Sequence, residues 1–99
     1  MTRIKKLADE ITDEICGTKS YAENYVERKA RGDMSWANRF KEMANDELKH
    51  AMWLHELAEI DIAELSSVFN PPAEMVEEWD RTHKKYVEKS AWVKMMLDM

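Results

Sequence analysis

The stretch "KARGDMSWA", residues 29–37, interrupts a chain that otherwise has helical periodicity on both sides. Gly32 can take the left-handed backbone conformation that ends a helix. Asp33 or Ser35 can cap the helix that follows. Because the connection is so short, we predict that the two flanking helices form an antiparallel hairpin, from about residue 3 to 65.

The first helix of the hairpin is predicted from about Arg3 to Arg31, because apolar and small residues recur there at steps of three and four. They are Ile4, Leu7, Ile11, Ile15, Thr18, Ala22, Tyr25 and Val26. Glu14 is the exception, since it lies in the neighbouring series 4, 7, 11, 14, 18 at a place where an apolar residue is expected.

The second helix is predicted from about Ser35 to Leu65 and carries two neighbouring stripes. The first contains Trp36, Phe40, Met43, Glu47, His50, Leu54, Leu57 and Asp61, and the second contains Ala37, Ala44, Leu48, Ala51, Ala58, Ile62 and Leu65. So wide an apolar face predicts contact with more than one neighbour. Asp61 is expected to mark a solvated end of the bundle.

A third helix is predicted from about residue 72 to 97, because Asn70 followed by Pro71 is a helix start signal. Its inward residues are expected to be Val76, Trp79, His83, Val87, Val93 and Leu97. Of the two remaining histidines outside the first stripe, His55 is expected at the surface or an interface, and His83 as a hydrogen-bonded core residue.

Length and composition support a single all-α domain over residues 1–99. The sequence is 44% hydrophobic and 35% charged with only two glycines and two prolines, a balance that favours long helices over sheet. The net charge of −5 argues against a nucleic-acid binder. No apolar run is long enough to span a membrane, no apolar leader is visible, and the one cysteine cannot pair within the chain, so we expect a cytoplasmic protein.

Glu14, Glu47 and His50 are polar residues in otherwise apolar stripes. Folding the chain about residues 32–33 places Glu14 level with about residue 51, within roughly one helical turn, or ~6 Å, of Glu47 and His50. Two carboxylates in a region of low dielectric repel each other and lose hydration. They must therefore take up protons, find cationic partners or bind metal.

The pair Glu47 and His50 has the Glu-x-x-His spacing of dimetal sites in helical bundles, which need two such pairs and two further glutamates. One chain supplies half of that set. A two-fold homodimer would supply the whole, with Glu14, Glu47 and His50 from both copies. Four carboxylates and two imidazoles suit iron, with manganese as the alternative.

The two helices of the hairpin resemble the ferritin-like rubrerythrin group. The first carries Glu14 and, seven residues later, Tyr21, in "EICGTKSY"; the second carries "ANDELKHA", residues 44–51, with its Ala-x-x-Glu-x-x-His-Ala pattern. The separation of Glu14 from Glu47 is also similar to that of the family, and the match covers somewhat over half of the chain.

This resemblance implies a four-helix bundle that holds two iron ions and oxidises ferrous iron with dioxygen or hydrogen peroxide. It implies Glu14, Glu47 and His50 as metal ligands with the catalytic role, and Tyr21 as a residue behind the ligands, expected to hydrogen-bond a ligand carboxylate.

The chain departs from typical members because no second Glu-x-x-His pair follows residue 70 and no CxxC pair of a rubredoxin domain is present. It is closer to the short ferritin-like proteins, including encapsulated ferritins, that complete the site by dimerising. That likeness implies a homodimer or higher homo-oligomer, with a shell protein or an external reductase as further partners. The alternative function is a non-catalytic dimerisation or assembly module, in which the same residues form a buried polar or metal-stapled layer.

Overall fold

The structure is a computed structural model that describes residues 2–99, and these residues form three α-helices. Helix α1 spans Thr2–Ala30, α2 spans Met34–Ser66 and α3 spans Ala73–Leu97. The all-α class is confirmed, and every helix end lies within one residue of its predicted position. Within the described chain, no helix is both long and apolar enough to cross a membrane.

The turn between α1 and α2 has the predicted chemistry. Gly32 has a φ of 78°, the left-handed conformation that a residue without Cβ adopts at little cost. Asp33 is the cap of α2, because its side chain accepts a hydrogen bond from the Trp36 N–H at 3.3 Å. The predicted start signal of α3 is only partly right. Pro72 precedes the helix, but no side chain of the described residues, Asn70 included, caps it.

The three helices run up, down and up. Arg3 and Asp61 form an ion pair at 3.2 Å, which joins the start of α1 to the end of α2. Helix α3 runs parallel to α1, since Lys29 near the end of α1 donates a hydrogen bond to the Met99 carbonyl. Helix α3 packs mainly along α1 and touches α2 much less. Asp61 is buried beside Arg3, so its predicted place at a solvated end is wrong.

The core confirms the predicted stripe of α1 and corrects that of α2. The buried residues of α2 are Ala37, Ala44, Leu48, Ala51, His55, Ala58 and Asp61. The alanine stripe therefore packs against α1, because small side chains allow two helices to approach closely. In the stripe of larger residues, Trp36 is 48% exposed and Leu57 is 46% exposed.

The inward face of α3 is also different from the prediction. Val76 and Val87 are exposed, whereas Val93 and Leu97 are buried as expected. The buried residues of α3 are Met75, Thr82, Ser90, Val93, Met96 and Leu97. A shift of one position turns a helical residue by about 100°, so reading the stripe from 76 instead of 75 placed the solvent-exposed Val76, His83 and Val87 in it, whereas Trp79 is half-buried against the core.

Candidate functional site

Glu14 of α1 and Glu47 and His50 of α2 come together, as the hairpin geometry predicts. Each offers one ligand atom, and the three atoms lie within 4.8 Å of one another. The His50 Nδ1 lies 3.8 Å from Oε2 of Glu14. Two carboxylates and an imidazole at this spacing are a donor set that could hold a divalent metal ion.

Close contact between α1 and α2 brings the three side chains together. The buried Thr18 hydroxyl donates a hydrogen bond of 2.6 Å to the Ala44 carbonyl, one turn before Glu47. Gly17 leaves the space that the Glu47 carboxylate uses, since a Cβ at position 17 would lie 3.3 Å from Glu47 Oε2. The local sequence "GT" thus makes room for an acidic side chain between the helices.

The electrostatics of this group favour a bound proton or cation. The pKa of Glu14 is raised above its ordinary value by a hydrogen bond that a protonated Glu14 shares with Glu47, and further by burial and by the Glu47 charge. Interaction with His50 opposes the shift. When both carboxylates are ionised, neither can donate, and the buried Oε2 atom of Glu14 then has no hydrogen-bond partner within residues 2–99. A buried acceptor without a donor is costly, so this atom is a natural position for a proton or a metal.

The group opens on the solvent side of the hairpin instead of into the core of the chain. Glu14 and Glu47 are half-buried, and His50 is exposed. Its ring lies 6.1 Å from that of Trp53, which is itself largely exposed. The first stripe of α2 is therefore only partly interior within one chain: Phe40, Met43 and Leu54 are half-buried, whereas Trp36 and Leu57 are exposed.

Tyr21 lies two turns after Glu14 and is half-buried. Its ring packs against that of Phe40, with the centroids 6.3 Å apart. No hydrogen bond in the described chain joins its hydroxyl to Glu14, Glu47 or His50, so its expected role behind the ligands stays a prediction.

A second group of potential ligands lies between α2 and α3, and the sequence analysis missed it. It consists of His55, Glu59 and His83, whose ligand atoms also lie within 4.8 Å of one another. His55 is only 8% exposed, so the surface alternative predicted for it is wrong, and the interface alternative stays a prediction. His83 is exposed, not a core residue. The signal was present in the sequence, because position 55 continues the alanine stripe at 51 and 58.

The ring of His55 is held on several sides. Its Nε2 lies 2.7 Å from His83 Nδ1, and its Nδ1 lies 2.9 Å from Glu59 Oε1. Tyr86 stacks on it at 4.2 Å between centroids, and Trp79 lies 5.2 Å away. Burial lowers the pKa of His55, with Glu59 acting in the opposite direction and His83 in the same one. Burial and the nearby Glu59 raise the pKa of Tyr86.

The fold and these side chains define the class only broadly: an all-helical protein with two groups of residues that could each hold a metal ion. No protein-family model, curated protein or solved structure matches the chain.

Proposed function

We propose that two copies of this chain pair through the face that carries Glu14, Glu47 and His50, and that they form a diiron carboxylate centre that oxidises ferrous iron with dioxygen or peroxide. The hairpins of both copies then make a ferritin-like four-helix bundle. The observation that carries the proposal is the convergence of these three side chains, with a buried and unpaired Glu14 oxygen among them.

The donor set fits iron chemically. Carboxylate oxygens and a neutral imidazole suit ferrous iron, and the negative charge of the carboxylates stabilises the ferric state. One chain supplies two carboxylates and one imidazole, which is half of the set that a dimetal centre in a helical bundle requires. A second copy related by a two-fold axis would present the same face and complete the set.

The surface around the site supports a second copy as its partner. Exposed large apolar residues flank the carboxylates on α2, namely Trp36, Trp53 and Leu57. Exposed large apolar side chains are typical of interfaces, and covering this face of α2 would also remove the carboxylates from water. Desolvation would then raise the cost of the two negative charges, which bound cations would offset.

The residues of the chain have distinct parts in the proposed reaction. Glu14 and Glu47 would bind the metal as deprotonated carboxylates, as metal ligation requires. Two ferrous ions held by these residues would supply two electrons, which together with two protons would reduce dioxygen to hydrogen peroxide, or hydrogen peroxide to two water molecules. Gly17 leaves the Glu47 carboxylate free to change its position as the charge at the site rises. Further electrons would come from new ferrous substrate or from a separate reductase.

The test is the iron content, solution mass and ferrous oxidation of the purified protein. We expect two iron ions per dimer and a ferric absorbance after aerobic addition of ferrous iron. Glu47→Gln should reduce the rate of that oxidation by more than about 10-fold, because even outer partners of metal ligands are worth 10- to 100-fold. The matched control is Asp46→Asn, which alters the adjacent exposed carboxylate and should leave the rate unchanged.

A monomer that binds no iron would overturn the proposal, as would a Glu47→Gln variant that oxidises iron like the wild type. The non-catalytic alternative predicts a dimer with no ferrous oxidation, and it shares the exposed Trp36, Trp53 and Leu57 as its interface. Under either function, joint replacement of Glu14, Glu47 and His50 by leucine should leave the dimer intact or stabilise it. Under the diiron proposal, the same variant must also lose its bound iron.

A further inference from the structure

We propose that His55 and His83, with Glu59 behind them, form a second and separate metal site that binds a divalent transition-metal ion of the zinc type between α2 and α3. The nitrogen ligands are His55 Nε2 and His83 Nδ1. Glu59 holds the His55 ring through its other nitrogen. This site shares no residue with the group at Glu14, Glu47 and His50 and does not depend on the function proposed for it.

The hydrogen bonds around His55 define which nitrogen is free to bind a metal. A carboxylate can only accept, so His55 Nδ1 donates its proton to Glu59 Oε1 across 2.9 Å. In a neutral ring, Nε2 then carries the lone pair, and His83 Nδ1–H donates to it across 2.7 Å. A metal-ligating histidine typically donates its second N–H to a carboxylate in this way, which fixes the ring and makes it a better ligand.

The distance between the two histidines is close to what a metal requires. Zinc–nitrogen bonds of about 2.0–2.1 Å in tetrahedral geometry place two nitrogen ligands roughly 3.3 Å apart. The present 2.7 Å therefore needs an opening of about 0.6 Å. His83 is exposed and can supply that movement, whereas His55 is fixed between Tyr86 and Trp79. The proton on His83 Nδ1 moves to its Nε2, so the neutral pair releases no net proton.

The surroundings leave a path to the site. An open groove lined by Glu59, Ile62, Ala63, Trp79, Asp80 and His83 leads to it from solvent. Water would complete the coordination sphere. Because α3 has few other contacts with α2, a metal here would join the two helices and stabilise the fold.

The test is titration of the His50→Ala protein with Co²⁺ and Zn²⁺, since that background disables the first group. We expect visible Co²⁺ absorption that is lost in the His50→Ala, His83→Ala double variant. Zn²⁺ at about 100 times its dissociation constant should raise the melting temperature of His50→Ala by roughly 10 °C. In the same His50→Ala background, His83→Gln keeps a side-chain hydrogen-bond donor and should lose the Co²⁺ band while the helix content measured by circular dichroism is retained.

The matched control compares two glutamates of α2. Glu59→Gln should weaken Co²⁺ binding about 10- to 100-fold, as expected for the partner of a ligating histidine. Glu56→Gln changes an exposed glutamate outside the group and should have no effect. If the double variant binds Co²⁺ like His50→Ala, or if Zn²⁺ leaves the melting temperature unchanged, the two histidines only share a hydrogen bond and the proposal is overturned. Failure of ferrous oxidation in the wild type would leave these outcomes untouched.

Discussion

The carboxylate of Glu47 lies against the backbone of Gly17, where a Cβ would stand 3.3 Å from its Oε2. The missing side chain of Gly17 on α1 thus makes room for the Glu47 side chain of α2. It makes Gly17 a position at which stability and the proposed metal binding should respond in opposite directions.

Gly17→Ala should stabilise the metal-free protein by up to about 1 kcal/mol, because alanine is the better helix former. The added methyl group should displace the Glu47 carboxylate by a few tenths of an ångström and so weaken iron binding. Urea unfolding and iron titration measure the two effects. In a Glu47→Ala background the substitution should only stabilise, and a loss of stability there would contradict this account.

Glu14 should make the stability of the metal-free protein depend on acidic pH. Its pKa in the folded state is raised above the ordinary 4.5, so the folded state holds the proton more tightly. The resulting stability is fully present below pH 4.5 and is lost as the pH rises through the raised pKa. Glutamine does not titrate, so the Glu14→Gln variant does not lose stability in this way as the pH rises. We expect the variant to gain on the wild type between pH 4 and 7, by less than about 1 kcal/mol for a partly exposed group.

The measurement is urea unfolding of both proteins in the presence of a chelator across that range. A difference in the free energy of unfolding that stays constant with pH would show that Glu14 titrates normally.

His55 should give a pH dependence of the opposite sign. Its pKa in the folded state lies below the ordinary 6.5 because the ring is buried. The stability that it contributes is present above pH 6.5 and is lost as the pH falls through the lowered pKa, since the unfolded chain takes up the proton more readily. The melting temperature of the wild type should therefore fall more steeply below pH 6.5 than that of His55→Gln. Parallel curves for the two proteins would contradict the prediction.

The hydrogen bond between Thr18 and Ala44 should contribute measurably to the hairpin. Thr18 is fully buried, and its hydroxyl donates to the Ala44 carbonyl of the neighbouring helix. Thr18→Val removes the donor at nearly constant volume and should cost about 1 kcal/mol. Thr12→Val is the control, because the Thr12 hydroxyl bonds only the Ala8 carbonyl of its own helix and is part-buried. If chemical denaturation shows that Thr18→Val and Thr12→Val lose the same free energy of unfolding, the hydrogen bond between the helices contributes no more than one within a helix.

The sequence predicted the hairpin and its register for a local reason. The glycine and aspartate at 32 and 33 place the turn, and the constant rise of a helix then determines which levels of α1 and α2 meet. For this reason Glu14, Glu47 and His50 could be brought together without knowledge of the packing. Their roles as ligands, and the pairing of two copies, stay predictions because they depend on a metal and a partner outside the chain.

Which stripe of α2 faces α1 was decided only by the tertiary structure. Both stripes are apolar, and periodicity cannot rank them, because a stripe of large residues and a stripe of alanines have the same repeat. Packing selects the alanine stripe, since it allows the helices to approach closely, and Trp36 and Leu57 remain exposed. His55 and His83 lie 28 residues apart on helices whose relative rotation the sequence does not encode locally, so their contact came from the fold alone.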